Sequence, residues 1–73
     1  MAPELGREAL GRVVEALPSG VYKVDLDDGR SVYAHVASTM RLHFVQILPG
    51  DRVALEVSPY DTSRARIIRR IAR

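Results

Sequence analysis

The stretch Val21–Val36, VYKVDLDDGRSVYAHV, decides the fold that we predict for this chain. Apolar and polar residues alternate along its first six positions, which is the pattern of a strand with one buried face. Asp28 and Gly29 then predict a tight hairpin turn, because glycine adopts positive φ without strain. The returning strand directs its small apolar residues inward and leaves Tyr33 and His35 together on the outer side.

The same signals predict five strands in all. Their expected bounds are Gly11–Ala16, Val21–Leu26, Ser31–Val36, Arg52–Val57 and Arg64–Ile71. Leu17–Gly20 has the composition of a turn, and Pro49-Gly50 suits the two central positions of a type II turn. The register of the last strand stays open, since Ile67 and Ile68 are adjacent and would point to opposite faces.

A short helix is expected in the connection to the fourth strand. Ser38 can accept hydrogen bonds from the amides that follow it, which favours one or two helical turns over Thr39–Phe44, with Phe44 in the core. Three strands, a short helix and two more strands follow the order of the all-β oligonucleotide-binding (OB) fold, a five-stranded Greek-key barrel. A small open sandwich is the alternative. Closure is favoured because it removes exposed strand edges.

Length and composition predict one small domain over residues 1–73. A protein of this size buries about 60% of its unfolded surface, so it builds a single core. The sequence has 47% hydrophobic residues, 27% charged residues and no cysteine, as expected of a cytoplasmic domain that folds without disulfides. We see neither a signal peptide nor an apolar run of about 20 residues, and we expect no membrane association.

Residues that could carry catalysis are few and scattered. A zinc site needs three or four closely placed ligands, whereas the two histidines, His35 and His43, lie on either side of a strand-to-helix junction. Ser38 is three residues from His35, but no acidic residue is placed to orient such a pair. We therefore expect no enzyme activity, no metal site and no cofactor.

Positive charge is concentrated in the second half of the chain. Residues 1–36 carry four basic and six acidic residues, whereas residues 37–73 carry seven arginines and three acidic residues. Arginine binds phosphate through two parallel hydrogen bonds and stacks on bases, which favours a nucleic-acid partner. A genome rich in guanine and cytosine explains the choice of arginine over lysine equally well, but it does not explain the clustering.

The candidate binding residues have open alternatives. Tyr33 could stack on a base or pack against a neighbouring strand. His35 could contact a ligand or occupy a solvated strand position. Arg41 could bind phosphate, or it could cover apolar surface with the aliphatic part of its side chain. Phosphate binding is favoured for the arginines of the last strand, because no acidic residue follows Asp61. Those arginines are Arg64, Arg66, Arg69 and Arg70.

Six motifs resemble bacterial translation initiation factor one in their order and spacing. They are VYKVDLDDG from residue 21, Ala34-His35, Met40-Arg41, ILPGDRV from residue 47, SPYD from residue 58 and ARI from residue 65. The resemblance implies an OB-fold barrel that binds rRNA at the aminoacyl-tRNA site of the small ribosomal subunit. It also implies a monomer that touches a neighbouring ribosomal protein and acts with the other two initiation factors in initiator tRNA selection and subunit joining.

The resemblance further implies which positions contact RNA. The matching residues are His35, Met40, Arg41, Arg64, Arg66 and either Arg69 or Arg70, with Tyr33 beside His35 and Gln46 in place of a usual arginine. Other departures from the family pattern are Pro3, Ser38-Thr39 and Leu42, where lysine, Gly-Lys, and lysine or methionine are common. Fewer cations predict a weaker salt dependence of RNA binding. A general RNA chaperone or interaction module that has lost ribosome specificity remains the alternative, because fold does not fix function.

Overall fold

The computed structural model describes residues 7–37 and 46–72, which form five β-strands. The strands are β1 (Arg7–Ala16), β2 (Val21–Leu26), β3 (Ser31–Val36), β4 (Arg52–Val57) and β5 (Arg64–Ala72). The predicted bounds of β2, β3 and β4 are confirmed. The short helix expected over Thr39–Phe44, with Phe44 in the core, lies outside the described residues.

The strands close into a barrel in the order β1-β2-β3-β5-β4. Antiparallel pairing joins β1 to β2, β2 to β3, β4 to β5 and β1 to β4, whereas β3 and β5 run parallel. Among the described residues, every strand therefore has a paired neighbour on both sides along part of its length, which limits the exposed strand edges. This is the closed all-β barrel expected from the order of the strands, not the open sandwich.

Both hairpins at the start of the chain use the same three-residue loop. The amide of Leu26 donates to the carbonyl of Arg30 at 2.7 Å, and the amide of Gly29 donates to the carbonyl of Leu26 at 3.0 Å. Gly29 has φ 96°, the left-handed conformation that ends a three-residue hairpin loop. Leu17 and Gly20 repeat this arrangement in the first hairpin, where Gly20 has φ 82°. The predicted β2–β3 hairpin is thus confirmed.

The turn before β4 is built by the four residues 48–51. Pro49 and Gly50 occupy its centre, where Gly50 has φ 95°, and the amide of Asp51 donates to the carbonyl of Leu48 at 3.0 Å. This is the type II geometry predicted for the Pro-Gly pair. Asp51 is 2% exposed, and its Oδ2 accepts from the amide of Leu48 at 3.0 Å. The buried carboxylate of Asp51 therefore stabilises the turn from the core side.

Strand β1 begins earlier than predicted, at Arg7 and not at Gly11. Its first part pairs with β4 and its second part with β2, so one long strand serves both sides of the barrel. Val14 is an extra residue in the pairing with β2 and forms a β-bulge, which bends the strand. The sequence predicted the strand over Gly11–Ala16 because that segment is apolar and β-branched, whereas the pairing with β4 extends the strand back to Arg7.

Two bulges set the register of β5. Leu55 pairs with Ile67 and Ala54 pairs with Arg69, which leaves Ile68 as the extra residue between them. A second irregularity near the end of the strand leaves Ile71 unpaired. The adjacent isoleucines therefore need not occupy opposite faces of a regular strand, and the question that the sequence left open is answered by the pairing with β4.

Alternate residues of the strands fill the barrel. The completely buried apolar side chains are Val24, Val32, Ala34, Val53, Ala54, Leu55 and Ile67. Tyr22 and Val36, both predicted to point inward, are partly buried and pack against this core. On β4, alternation predicts that Val53, Leu55 and Val57 face inward, and all three are buried; the intervening Ala54 is buried as well.

Candidate functional site

The parallel pairing of β3 with β5 brings four predicted binding residues together. Tyr33 is the register partner of Arg64, and His35 is the partner of Arg66. All four side chains are exposed, because the residues between them point into the core. We call this surface, formed by Tyr33, His35, Arg64 and Arg66, the β3–β5 face. It presents an aromatic ring, an imidazole and two guanidinium groups within a few strand spacings.

An open groove of about 360 Å³ runs along the edge of this face, where β4 and the β4–β5 loop adjoin it. Its polar lining consists of His35, Glu56, Ser58, Arg64 and Arg66. Donors for an anion and flat side chains for stacking thus line one open surface. Such a surface suits a strand of nucleic acid better than a small substrate, which proteins usually enclose.

The β4–β5 loop holds Arg64 in place through its own hydrogen bonds. Ser58 Oγ accepts from the amides of Tyr60 and Asp61, each at 3.2 Å. Asp61 Oδ1 accepts from the amide of Ser63 at 3.0 Å and from its Oγ at 2.6 Å. The carbonyl of Ser63 accepts from the amide of Tyr33 at 2.9 Å, which ties the loop to β3. The SPYD motif therefore forms a loop that is stabilised by its own internal hydrogen bonds.

Each arginine of the β3–β5 face has an acidic partner. Arg66 Nη2 donates to Glu56 Oε1 on β4, and Arg64 Nε lies 3.3 Å from Asp61 Oδ2. These side chains remain between 37% and 75% exposed, so the pairs are open to water and to competing anions. Exposed ion pairs of this kind are weak, which leaves both guanidinium groups available for phosphate.

The remaining candidates on β5 diverge from this face. Arg69 Nη2 lies 2.8 Å from Glu8 Oε2 on β1, whereas Arg70 Nη1 donates to the backbone carbonyl of Gln46 at 3.2 Å. Gln46 is exposed and sits beside Arg70, not beside Tyr33. The four arginines that the sequence groups on the last strand are therefore spread over different sides of the barrel. Met40 and Arg41 lie outside the described residues.

Sequence reasoning missed three residues at the groove. The local pattern places Glu56 on a strand exterior and both Ser58 and Tyr60 in a loop, without a binding role. Tyr60 is 91% exposed at the loop tip, next to groove residues Ser58 and Pro59. The SPYD motif could have drawn attention to Tyr60. Glu56 could be recognised only from its pairing with Arg66 across the strands.

Hydrogen bonds to carboxylates lower three pKa values in the folded protein. Arg52 donates to both oxygens of Asp27, at 2.7 and 2.8 Å, and holds the pKa of that carboxyl below its ordinary value of 3.8. The backbone amide of Arg30, and then its side chain, lower the pKa of Asp28. The hydroxyl and amide of Ser63 do the same for the pKa of Asp61.

These pKa directions predict a loss of stability in acid. A carboxyl whose pKa is lower in the folded chain stabilises the fold above its unfolded pKa, and this contribution disappears as pH falls below about 4. We expect Asp27→Asn and Arg52→Gln each to flatten the dependence of unfolding free energy on pH between about 5 and 2. Urea unfolding at several pH values measures this; curves parallel to that of the wild type would contradict the assigned role of the ion pair.

Among the described residues, no group of three or more histidine or acidic side chains is placed to hold a metal ion. Residues 7–37 and 46–72 contain no helix that is long and apolar enough to cross a membrane.

Comparison with known proteins relates the chain to translation factors. A family model described as translation initiation factor 1A / IF-1 matches residues 1–73. The solution structure of translation initiation factor one from the Wolbachia endosymbiont strain TRS of Brugia malayi is 36% identical, with a TM-score of 0.78 over 93% of this chain and 80% of that chain. The crystal structure of YjeQ from Thermotoga maritima is 25% identical, with a TM-score of 0.74; the match covers 92% of this chain but only 23% of that one.

Proposed function

This chain belongs to the translation initiation factor 1A / IF-1 family, and we propose that it binds rRNA at the aminoacyl-tRNA site of the small ribosomal subunit. In this role it acts without catalysis, as a cytoplasmic monomer. It touches a neighbouring ribosomal protein and cooperates with the other two initiation factors in initiator tRNA selection and subunit joining.

The observation that carries this proposal is the parallel β3–β5 pairing, which sets Tyr33 and His35 beside Arg64 and Arg66. Sequence-specific RNA recognition relies on displaced bases that stack on aromatic or guanidinium planes, and on cations that contact the backbone. The β3–β5 face offers both kinds of group on one open surface. A face with cations alone would support only general polyanion binding.

The proposed RNA contacts extend beyond this face. They comprise Tyr33, His35, Arg64 and Arg66 on the β3–β5 face, Gln46, Arg69 and Arg70 around the barrel, and Met40 and Arg41 in the segment that precedes β4. Since Arg69 and Arg70 reach toward different neighbours, we assign them to separate RNA segments or phosphates. A partner that contacts several sides of a small barrel must itself be a folded surface, as the small subunit is.

The direct test is binding of labelled protein to purified small subunits, large subunits and a free RNA oligomer, each across a salt series. We expect selective, salt-sensitive binding to the small subunit that an authentic initiation factor of this family displaces. Equal binding to all three, or binding to none, would contradict the proposal. The first of these outcomes would favour the general RNA chaperone, because its affinity would depend on charge and not on the shape of the ribosomal site.

A further inference from the structure

The two carboxylates that face Arg64 and Arg66 differ in what else they do. Asp61 accepts two hydrogen bonds from Ser63 and so maintains the β4–β5 loop. Glu56 has, among the described residues, only its hydrogen bond and ion pair with Arg66. The role of Asp61 is therefore explained by folding, whereas that of Glu56 is not.

Strand register places Glu56 in the binding surface. It lies directly opposite Arg66 on β5, and Arg66 lies directly opposite His35 on β3. The Glu56 side chain is 37% exposed and lines the same groove as both of these residues. An exposed ion pair contributes little to folding stability, so packing gives no reason for an acidic residue directly beside Arg66, at the β4 edge of the β3–β5 face.

We propose that Glu56 is an internal competitor of RNA phosphate for Arg66 and thereby sets the affinity of the groove. In the free protein the carboxylate holds the guanidinium group of Arg66. A phosphate that binds there must displace Glu56 and tolerate its negative charge nearby. This inference rests on the part of the proposed function that assigns RNA to the β3–β5 face.

The competition has a physical consequence for selectivity. A short RNA that reaches only Arg66 meets a site whose charge is already neutralised, so its binding is weak. A large RNA surface that also contacts Arg64, Arg69 and Arg70 can displace Glu56, because the other contacts hold the phosphate close to Arg66. Glu56 therefore suppresses binding to isolated RNA segments more effectively than binding to an extended, rigid partner.

The test compares four variants of the full chain with the wild type in binding to a short single-stranded RNA oligomer. Glu56→Gln removes the competing charge and keeps a side chain of similar size. Glu15→Gln is the matched control, because it changes the net charge equally on β1, three strands and about 14 Å from the row of Arg64. Glu56→Gln combined with Arg66→Gln, measured against Arg66→Gln alone, completes a double-mutant cycle.

We expect Glu56→Gln to tighten oligomer binding about two- to fivefold, the range that an exposed ion pair can account for, and to steepen the salt slope by up to about 0.7, the share of one contact to single-stranded nucleic acid. Glu15→Gln should change affinity much less, since solvent and salt screen a charge at that distance. In the Arg66→Gln background, Glu56→Gln should have little effect. Circular dichroism verifies that each variant is folded.

Three results would overturn the inference. Equal gains for Glu56→Gln and Glu15→Gln would indicate a general effect of net charge. An undiminished gain in the Arg66→Gln background would mean that Glu56 does not act through Arg66. Weaker binding by Glu56→Gln would identify the carboxylate as a direct RNA contact, for instance an acceptor for a base amino group.

The small-subunit measurement separates this inference from the proposed function. Oligomer binding that depends on Glu56, without selective binding to small subunits, would leave the competitor role intact and refute the ribosomal role. Selective binding to small subunits with no oligomer response to Glu56→Gln would do the reverse.

Discussion

The double variant Arg64→Ala/Arg66→Ala should bind small ribosomal subunits on the order of 100-fold more weakly than the wild type. Each guanidinium group is expected to supply one charge-assisted phosphate contact, and each such contact contributes about 1.5 kcal/mol or more. Loss of two phosphate contacts should also reduce the slope of log affinity against log salt by about 1.4–1.8. The measurement is a titration of labelled protein with small subunits at several salt concentrations.

The structure indicates that this variant will remain folded. Both arginines are exposed, at 75% and 59% of their side chains, and neither belongs to the buried core. Removing Arg66 also leaves the Glu56 carboxylate without its ion pair. The unpaired negative charge then repels phosphate, in addition to the loss of the arginine contact. The loss of affinity should therefore exceed what two missing phosphate contacts account for.

A matched control removes two other exposed arginines, Arg12 on β1 and Arg30 in the β2–β3 turn. The net charge changes equally in Arg12→Ala/Arg30→Ala, but neither residue lines the groove. We expect a change in affinity of less than about fivefold, because screening removes most of the interaction between exposed charges beyond about 10 Å. Equal losses for the two double variants would remove the β3–β5 face from the RNA interface.

Gly11→Val should have the largest effect on stability. A Cβ atom at residue 11 would lie 2.7 Å from the backbone oxygen of Asp25 and 2.8 Å from Cγ1 of Val24. Because Gly11 pairs with both β2 and β4, its strand cannot move away from one neighbour without disturbing the other. Overpacking costs about 1–3 kcal/mol in an ordinary core, and we expect the upper end or more for the branched side chain.

A loss of this size is a large part of the total for a chain of 73 residues, whose expected stability is about 4–11 kcal/mol. For a domain of this size, each 1 kcal/mol lowers the melting temperature by about 4–8 °C. Thermal and urea unfolding measure the effect, and Gly11→Ala gives a graded value if the valine variant does not fold. Wild-type stability for Gly11→Ala would mean that β1 and β2 pack less closely than described.

Gly29→Asn is the appropriate glycine control. Gly29 has φ 96°, and no atom lies within 4 Å of the Cβ that a side chain would add there. Asparagine tolerates this left-handed conformation better than other residues do. We expect a loss of less than about 1 kcal/mol, so the comparison distinguishes steric overlap at Gly11 from the backbone requirement of a turn.

Local patterns predicted much of the fold correctly. The bounds of β2, β3 and β4 follow from period-two alternation and from turn residues that lie next to them in sequence. The Pro49-Gly50 turn follows equally from two adjacent residues. In each case the determining interactions connect residues that are close along the chain, and sequence reasoning can evaluate these.

The candidate site was predicted in kind but not in arrangement. Alternation alone put Tyr33 and His35 on the outer side of β3, and the charge count placed cations on β5. Neither signal showed that Arg64 and Arg66 lie beside Tyr33 and His35, whereas Arg69 and Arg70 contact other parts of the barrel. That division coincides with the bulge at Ile68, beyond which β5 pairs with β4 and no longer with β3.

By itself, the sequence determined the alternation of β2, β3 and β4, the tight turns that precede β3 and β4, and the outward position of the candidate binding residues of β3, because these depend on local backbone preferences and on alternation. Only the tertiary structure decided the early start of β1, the register of β5 and the partnership of Glu56 with Arg66. Those features arise from closing the barrel, which joins strands that are distant in sequence. Hydrogen bonds across such pairs depend on the positions of both strands at once, and neither strand's residues specify them alone.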